Sequence, residues 1–460
     1  MTTRSCRFLR FCFAGVLATF PFCAAPQAFA VTPPAVDDSM LPKPASPTPP
    51  RPTEQQERCV SASLTDADRT EPGQLKGLDL QQVWRLTRGA GQTVAVIDTG
   101  VARHRLLPHL VPGGDYVNTG DGTDDCDGHG TVVAGIIGAQ PDSERSTFSG
   151  IAPDATIVSI RQSSNKFRAA DDPSGSGFGD VDTLARAIRT AADMGATVIN
   201  VSSVACLPID GGLDDRPLGA ALAYAVDAKN VVVVAAAGNV GGAGQCPEQN
   251  PATDPARPGR PDWDRVRVVA SPAWYDDYVL TVGSVSPQGV PSSFSLAGPW
   301  VDVAAPGEGV VSLDSDGEGL VSSLPAAGDP MPISGTSYAA PVVSGVVALV
   351  RSRSPELTAR QVMRRIEETA HRPAAGWDPV VGQGVIDALA AVSDGAATAQ
   401  SREGTQPRPV PVPDATPDDD RADHVAIGGA SVCLAVSVAT VAMTASAARL
   451  RRSRDAVARD

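Results

Sequence analysis

The sequence predicts an α/β domain of three layers, a mainly parallel central sheet with helices on both faces. Three observations carry this. Five short apolar runs, TVAVID (93–98), TIVSIR (156–161), TVINVSS (197–203), VVVVAAAGN (231–239) and YVLTVGSV (278–285), are continuous rather than alternating, as strands buried on both faces are. Segments with helical spacing lie among them, VDTLARAIRTAADMG (181–195) and LGAALAYAVDAKN (218–230), with Gly or Asn near each stop. Strand and helix then alternate over a length that parallel crossovers require. TARQVMRRIEETA (358–370) and GVIDALAAV (384–392) add helices after the last strand.

The elements outside this domain follow in order. Residues 1–30 read as a secretory signal: Arg4, Arg7 and Arg10 precede the apolar FCFAGVLATFPF, and Ala28-Phe29-Ala30 is a cleavage signature. Residues 31–77 form a Pro-rich extension, and 78–395 the folded domain. A second polar, Pro-rich linker covers 396–424. Residues 425–448, VAIGGASVCLAVSVATVAMTASAA, carry no charge and are long enough to span a bilayer. A buried Ala-rich helix is the competing reading, and the flanks decide: PDDDRAD precedes and RLRRSRD follows. Positive charge stays inside, so residues 449–460 are a cytoplasmic tail and the folded domain lies outside the cell membrane. The expectation is one C-terminal transmembrane helix in single-pass, type I topology.

A net charge of −14 over 460 residues argues against a nucleic-acid partner. Of eight cysteines, Cys59, Cys126, Cys206 and Cys246 fall in the exported part outside the span. An even number in an oxidising compartment suggests two disulfides, with three connectivities open. Without a C-x-x-C pair or an Asp-rich calcium loop, the sequence predicts no metal and no cofactor.

In parallel sheets, sites form at the C-terminal ends of strands. Asp98 closes the first run, and alone it reads as a turn residue beside Gly100. His129 stands between two glycines in DGHGTVVAGIIGA, a setting that none of the other four histidines shares. Asn239 ends VVVVAAAGN, where its amide can cap a turn or donate to charge developing in a cleft. Ser337 follows Gly335 and Thr336 ahead of an apolar helix with Pro341 in its first turn. A helix start offers free N–H groups and a positive dipole end. Together the four fit one task. A serine hydroxyl needs a base to attack, His129 is that base, Asp98 orients and stabilises it, and Asn239 with the Ser337 N–H receives the oxyanion.

These segments, VAVIDTGV, DGHGTVVAGIIG, VVVVAAAGN and SGTSYAAPVVSGVVALV, resemble the signatures of subtilisin-like serine proteases in their Asp, His, Ser order. The resemblance implies a subtilisin-like fold and the catalytic residues Asp98, His129 and Ser337, with Asn239 in the oxyanion hole. It further implies S1 walls formed by Ser202, Ser203 and Val204 on one side and Ala236, Ala237 and Gly238 on the other. Val204 stands where a Gly-containing edge is usual, which implies a restricted pocket and selective cleavage.

With signal, Pro-rich arm, tether, span and basic tail, the chain is similar to the mycosins, membrane-anchored subtilases of type VII secretion systems. That likeness implies a polypeptide substrate and partners among the type VII secretion membrane components. The alternative role is mainly structural, stabilising that complex, with proteolysis secondary. Against the family's compact prodomain, residues 31–77 are expected to stay attached, wrapping the catalytic domain through Cys59–Cys126, while Cys206–Cys246 ties the loops beside the cleft. Residues 162–180 and 241–264 are expected to be solvated insertions beside the cleft.

Overall fold

A seven-stranded, wholly parallel sheet forms the centre of the computed structural model, which describes residues 31–60, 71–142, 146–242, 245–252, 257–324 and 330–393. The expected signal, linker, membrane span and tail lie outside the described residues. Among the described residues, no helix is long and apolar enough to cross a membrane. The strands are β1 (Thr53–Gln55), β2 (Thr93–Asp98), β3 (Leu110–Asp115), β4 (Thr156–Arg161), β5 (Phe167–Ala169), β6 (Val198–Val201), β7 (Ala205–Pro208), β8 (Val232–Ala236), β9 (Val268–Ser271), β10 (Val279–Val285) and β11 (Val303–Pro306). The helices are α1 (Leu80–Val83), α2 (His129–Gly138), α3 (Val181–Asp193), α4 (Arg216–Ala223), α5 (Thr336–Arg353), α6 (Ala359–Thr369) and α7 (Ala388–Val392).

The sheet order is β11-β10-β8-β6-β2-β4-β3. From β2 the chain first winds toward β4 and β3, then returns to the other side through β6 and β8. That reversal opens a crevice at the C-terminal ends of β2 and β6, where such sheets hold their sites. Every residue of β6, β8 and β10 is buried, as the unbroken apolar runs require.

Helices α2 and α5 pack together on one face, and α3 and α4 on the other. The α5 stretch from Val342 to Val350 is apolar on all sides but for Ser344 because it lies inside the molecule, with Val342, Val343, Val346, Val347 and Leu349 at 0 % exposure. Each such side chain contributes about 1.5–3 kcal/mol on burial, so the helix carrying Ser337 is anchored by its own core.

Boundaries match where pattern alone decides them. The runs at 93–98 and 156–161 coincide with β2 and β4, while 197–203 and 231–239 shorten to β6 and β8. Two strands carry no such signal. In β3, LVPGGD, Pro112 and the glycines disguise an edge strand whose register shifts between Pro112 and Asp115; β11 has only four residues. The helix expected at 384–392 is reduced to α7, because Val385 bridges to Ala304 and His371 instead. α4 starts at Arg216 and continues as a π-turn over Tyr224–Ala228.

The extension touches the domain at widely separated places. Val31 N–H donates to Trp263 O at 3.2 Å, and Pro42 O accepts from Arg189 at 3.2 Å. β1 pairs antiparallel with β5. Cys59 is joined to Cys126, and the buried Gln74 exchanges two hydrogen bonds with the Val311 backbone. Residues 162–180 depart from the expected solvated loop. Phe167 and Phe178 are buried against Val117 and Cys126, and Lys166 and Arg168 form ion pairs with Glu57 and Glu54. The apolar partners of those phenylalanines lie some forty to sixty residues upstream, so nothing local in the sequence announces them.

Candidate active site

β2 delivers Asp98 to the crevice with its side chain at 0 % exposure. Its Oδ1 accepts from its neighbour Thr99 N–H at 2.8 Å and from His129 Nδ1 at 2.6 Å. A carboxylate only accepts, so Nδ1 carries the hydrogen and Nε2 is left with the lone pair in the neutral ring. The ring is the first residue of α2 and 26 % exposed. Glycine follows it of necessity: a Cβ on Gly130 would lie 1.9 Å from Gly100 O and 3.2 Å from the Asp98 Cβ.

Two further carboxylates surround the His129 turn, and sequence reading passed over both. Asp125 accepts from Thr99 Oγ1 at 2.9 Å, Gly128 N at 2.8 Å, and Thr131 N and Oγ1 at 2.8 and 2.7 Å. Asp127 accepts from Ser164 Oγ and from Asn165 N, which ties the His129 turn to the 162–180 segment. Burial disfavours the imidazolium, but the charge and hydrogen bond of Asp98 and the charges of Asp125 and Asp127 outweigh it. His129 therefore titrates above the ordinary imidazole value. The acidic run Asp124-Asp125-Cys126-Asp127 was the available signal.

Across the crevice, α5 begins at Thr336 and presents Ser337 as its second residue. Pro341 lies one turn deeper than expected, beyond the first turn. Thr336, the first residue of the helix, orients the Asn239 amide. Its N–H and Oγ1–H donate to Asn239 Oδ1 at 2.9 and 3.1 Å. Because an N–H can only donate, the carbonyl end of the amide is fixed there and Nδ2 is turned the other way. A Cβ built on Gly335 would lie 3.6 Å from that Nδ2.

His129, Asn239 and Ser337 line one cleft of ≈ 860 Å³, together with Tyr338, Ser202, Ser203 and Val204. The Tyr338 ring lies 5.2 Å from the imidazole, centroid to centroid. Asn165, Lys166 and Phe178, from the 162–180 insertion expected beside the cleft, also line it, as does Val60, which was not anticipated. Ala236, Ala237 and Gly238 do not reach the surface of this cleft. Both alanines are at 0 % exposure because they continue the buried course of β8. Gly238 lies under the second disulfide, Cys206–Cys246: a Cβ there would sit 2.9 Å from Cys246 Sγ and 3.3 Å from Cys206 Sγ. Ser202 lines the cleft, but its hydroxyl donates to Ser337 O at 2.8 Å.

A doubly wound parallel sheet whose crevice sets an oriented imidazole near a helix-start serine defines the class of serine peptidases built on this architecture. The chain belongs to the subtilase family, whose model matches residues 89–392. It is similar to Mycosin-4 of Mycobacterium tuberculosis (strain ATCC 25618 / H37Rv), 58% identical over 467 residues that cover 100% of both chains. It is also similar to a solved structure described as a serine protease MycP1, an essential component of the type VII (ESX-1) secretion system. Their identity is 42%, with a TM-score of 0.73 over 79% of this chain and 100% of that one. A chain in the periplasmic assembly of the ESX-5 inner membrane complex matches at 40% identity and a TM-score of 0.73, covering 84% of this chain and 98% of that one.

Proposed function

We propose that this chain is a membrane-anchored, extracytoplasmic subtilisin-like serine endopeptidase that acts through Asp98, His129 and Ser337 and works with a type VII secretion system. The observation that carries the catalytic reading is the 2.6 Å bond from His129 Nδ1 to the buried Asp98, with Ser337 in the same cleft. Held in that tautomer, Nε2 takes the proton from Ser337 Oγ as the oxygen attacks a peptide carbonyl carbon. Asp98 stabilises the imidazolium that forms. Asn239 Nδ2 and the Ser337 N–H donate to the oxyanion, and the imidazolium returns its proton to the leaving amine. Water then repeats the sequence on the acyl-enzyme and frees Ser337. Val204 on the cleft wall supports a narrow S1 site and selective cleavage.

Residues 1–30 act as the signal, and 31–77 remain attached around the catalytic domain of 78–395. The linker of 396–424 leads to a single span at 425–448 with the tail of 449–460 inside. The contacts of Val31, Pro42, β1 and Gln74 with distant parts of the domain support the attached extension. Likeness to a chain of the ESX-5 inner membrane complex supports placement at a secretion complex outside the membrane, and also favours the second reading, a mainly structural role there. Ser337→Ala in the full-length protein separates the two. Loss of substrate processing with secretion retained means that catalysis and assembly are distinct roles. Processing that continues in the Ser337→Ala variant would refute the catalytic reading.

A further inference from the structure

Ser337 is the one residue of α5 whose carbonyl matters twice. In a regular helix it would accept from the N–H four residues on, but that residue is Pro341, which has none. The carbonyl of the nucleophile's own residue is thus left without its helical donor. Ser202, directly after β6 and 3 % exposed, supplies one: its Oγ lies 2.8 Å from Ser337 O.

The chain of bonds behind it has a single direction. Ser337 O can only accept, so the Ser202 hydroxyl donates there and offers its lone pair backward. Asn200 Nδ2 donates to that lone pair at 2.9 Å. This turns Asn200 Oδ1 toward α5, where Ser344 Oγ donates to it at 2.8 Å. Asn200 and Ser344 are both at 0 % exposure. The relay leaves α5 at Ser344, passes through β6 and re-enters α5 at Ser337, two turns earlier on the same face. A buried hydrogen-bond network fixes geometry more tightly than packing alone.

We infer that Ser202 is a positioning residue for the nucleophile: its hydroxyl replaces the helical donor that Pro341 removes and fixes the Ser337 peptide plane. The Ser337 side chain and N–H hang from that plane, so both the attacking oxygen and one oxyanion donor depend on it. This rests on Ser337 being the nucleophile. Ser202 has no proton to exchange with substrate in this role, since its hydrogen is committed to Ser337 O.

The test uses the full-length protein and a fluorophosphonate probe, measuring the maximal phosphonylation rate and the probe concentration at half-maximal rate. Ser202→Ala is expected to lower the maximal rate about tenfold, the worth of one hydrogen bond at the reacting group, and to leave the half-maximal concentration within about twofold. Adding Pro341→Ala returns an N–H to Ser337 O and is expected to restore most of the lost rate, which relief of a packing defect at Ser202 would not do. Where Ser202→Ala fails to fold, Ser202→Cys replaces the hydroxyl by a weak thiol donor of similar size and must show the same loss. A Ser202 variant that folds and reacts within about twofold of the parent, or a double variant no faster than the single, overturns the inference alone. A parent protein not labelled at Ser337 overturns the catalytic reading as well.

Discussion

Behind Ser337, the supports are neutral and dry. Val342, Val343 and Val346 are fully buried, and the hydrogen bonds to Asn239, Ser202 and Asn200 run between uncharged groups. Around His129 the supports are charged and remote in sequence. Asp98 bonds to the ring, Asp125 and Asp127 add negative charge around it, Cys59–Cys126 staples its turn to the extension, and Lys166 and Arg168 pair with Glu57 and Glu54. Ser337 and Asn239, the proposed nucleophile and oxyanion donor, therefore share a frame that pH and salt barely affect. His129, the proposed base, sits in a frame that charge and redox chemistry reach. Sensitivity to pH and salt belongs to one half of the site.

The largest effect is expected on the neutral side. Asn239→Ala removes a fixed donor, and kcat should fall about 10²–10³-fold with KM nearly unchanged. A loss confined to KM would make Asn239 a binding residue and blur the contrast. Next comes the staple. Replacing Cys59 and Cys126 by Ser opens a link across 67 residues and should lower stability by about 2–5 kcal/mol, seen as a fall in Tm. The maximal labelling rate should fall with it because the His129 turn loosens; unchanged activity would mean that the hydrogen bonds of Asp125 and Asp127 hold the turn without the disulfide.

The smallest effect distinguishes the two sides best. The base works as neutral imidazole, so activity rises as pH climbs through the His129 pKa, which lies above the ordinary imidazole value. Asp127→Asn removes a charge favouring the imidazolium, so the acidic limb of kcat/KM should move to lower pH, less so at high salt. An immobile limb would assign the shift to Asp98 and Asp125. The asparagine keeps one acceptor oxygen for the Asn165 N–H and turns an NH2 donor toward Ser164 Oγ, which limits structural loss.

The same contrast explains what could be read from sequence. β2, β8 and α5 announce themselves because burial on all sides leaves unbroken apolar runs. Asp98, His129, Asn239 and Ser337 stood out because each punctuates such a run or opens a helix. Their chemistry gives them one joint task, and the resemblance to subtilases agrees with it. Val60 was not legible and Asp127 showed only as part of an acidic run: their importance comes from Cys126 and Ser164, partners across loops that no periodicity marks. Ala236 and Ala237 were misplaced for the opposite reason. They follow the strand into the core, and only Asn239 beyond them emerges at the cleft. The Ser202 hydroxyl was legible as polar but not as to where it points, which required the orphaned carbonyl opposite Pro341.

The most direct measurement is identification by mass spectrometry of the residue that a fluorophosphonate modifies in the full-length protein at pH 8. The account predicts one adduct, on Ser337, formed far more slowly when His129 is replaced by alanine. An adduct on another residue, or labelling of Ser337 at the parent rate without His129, would contradict it.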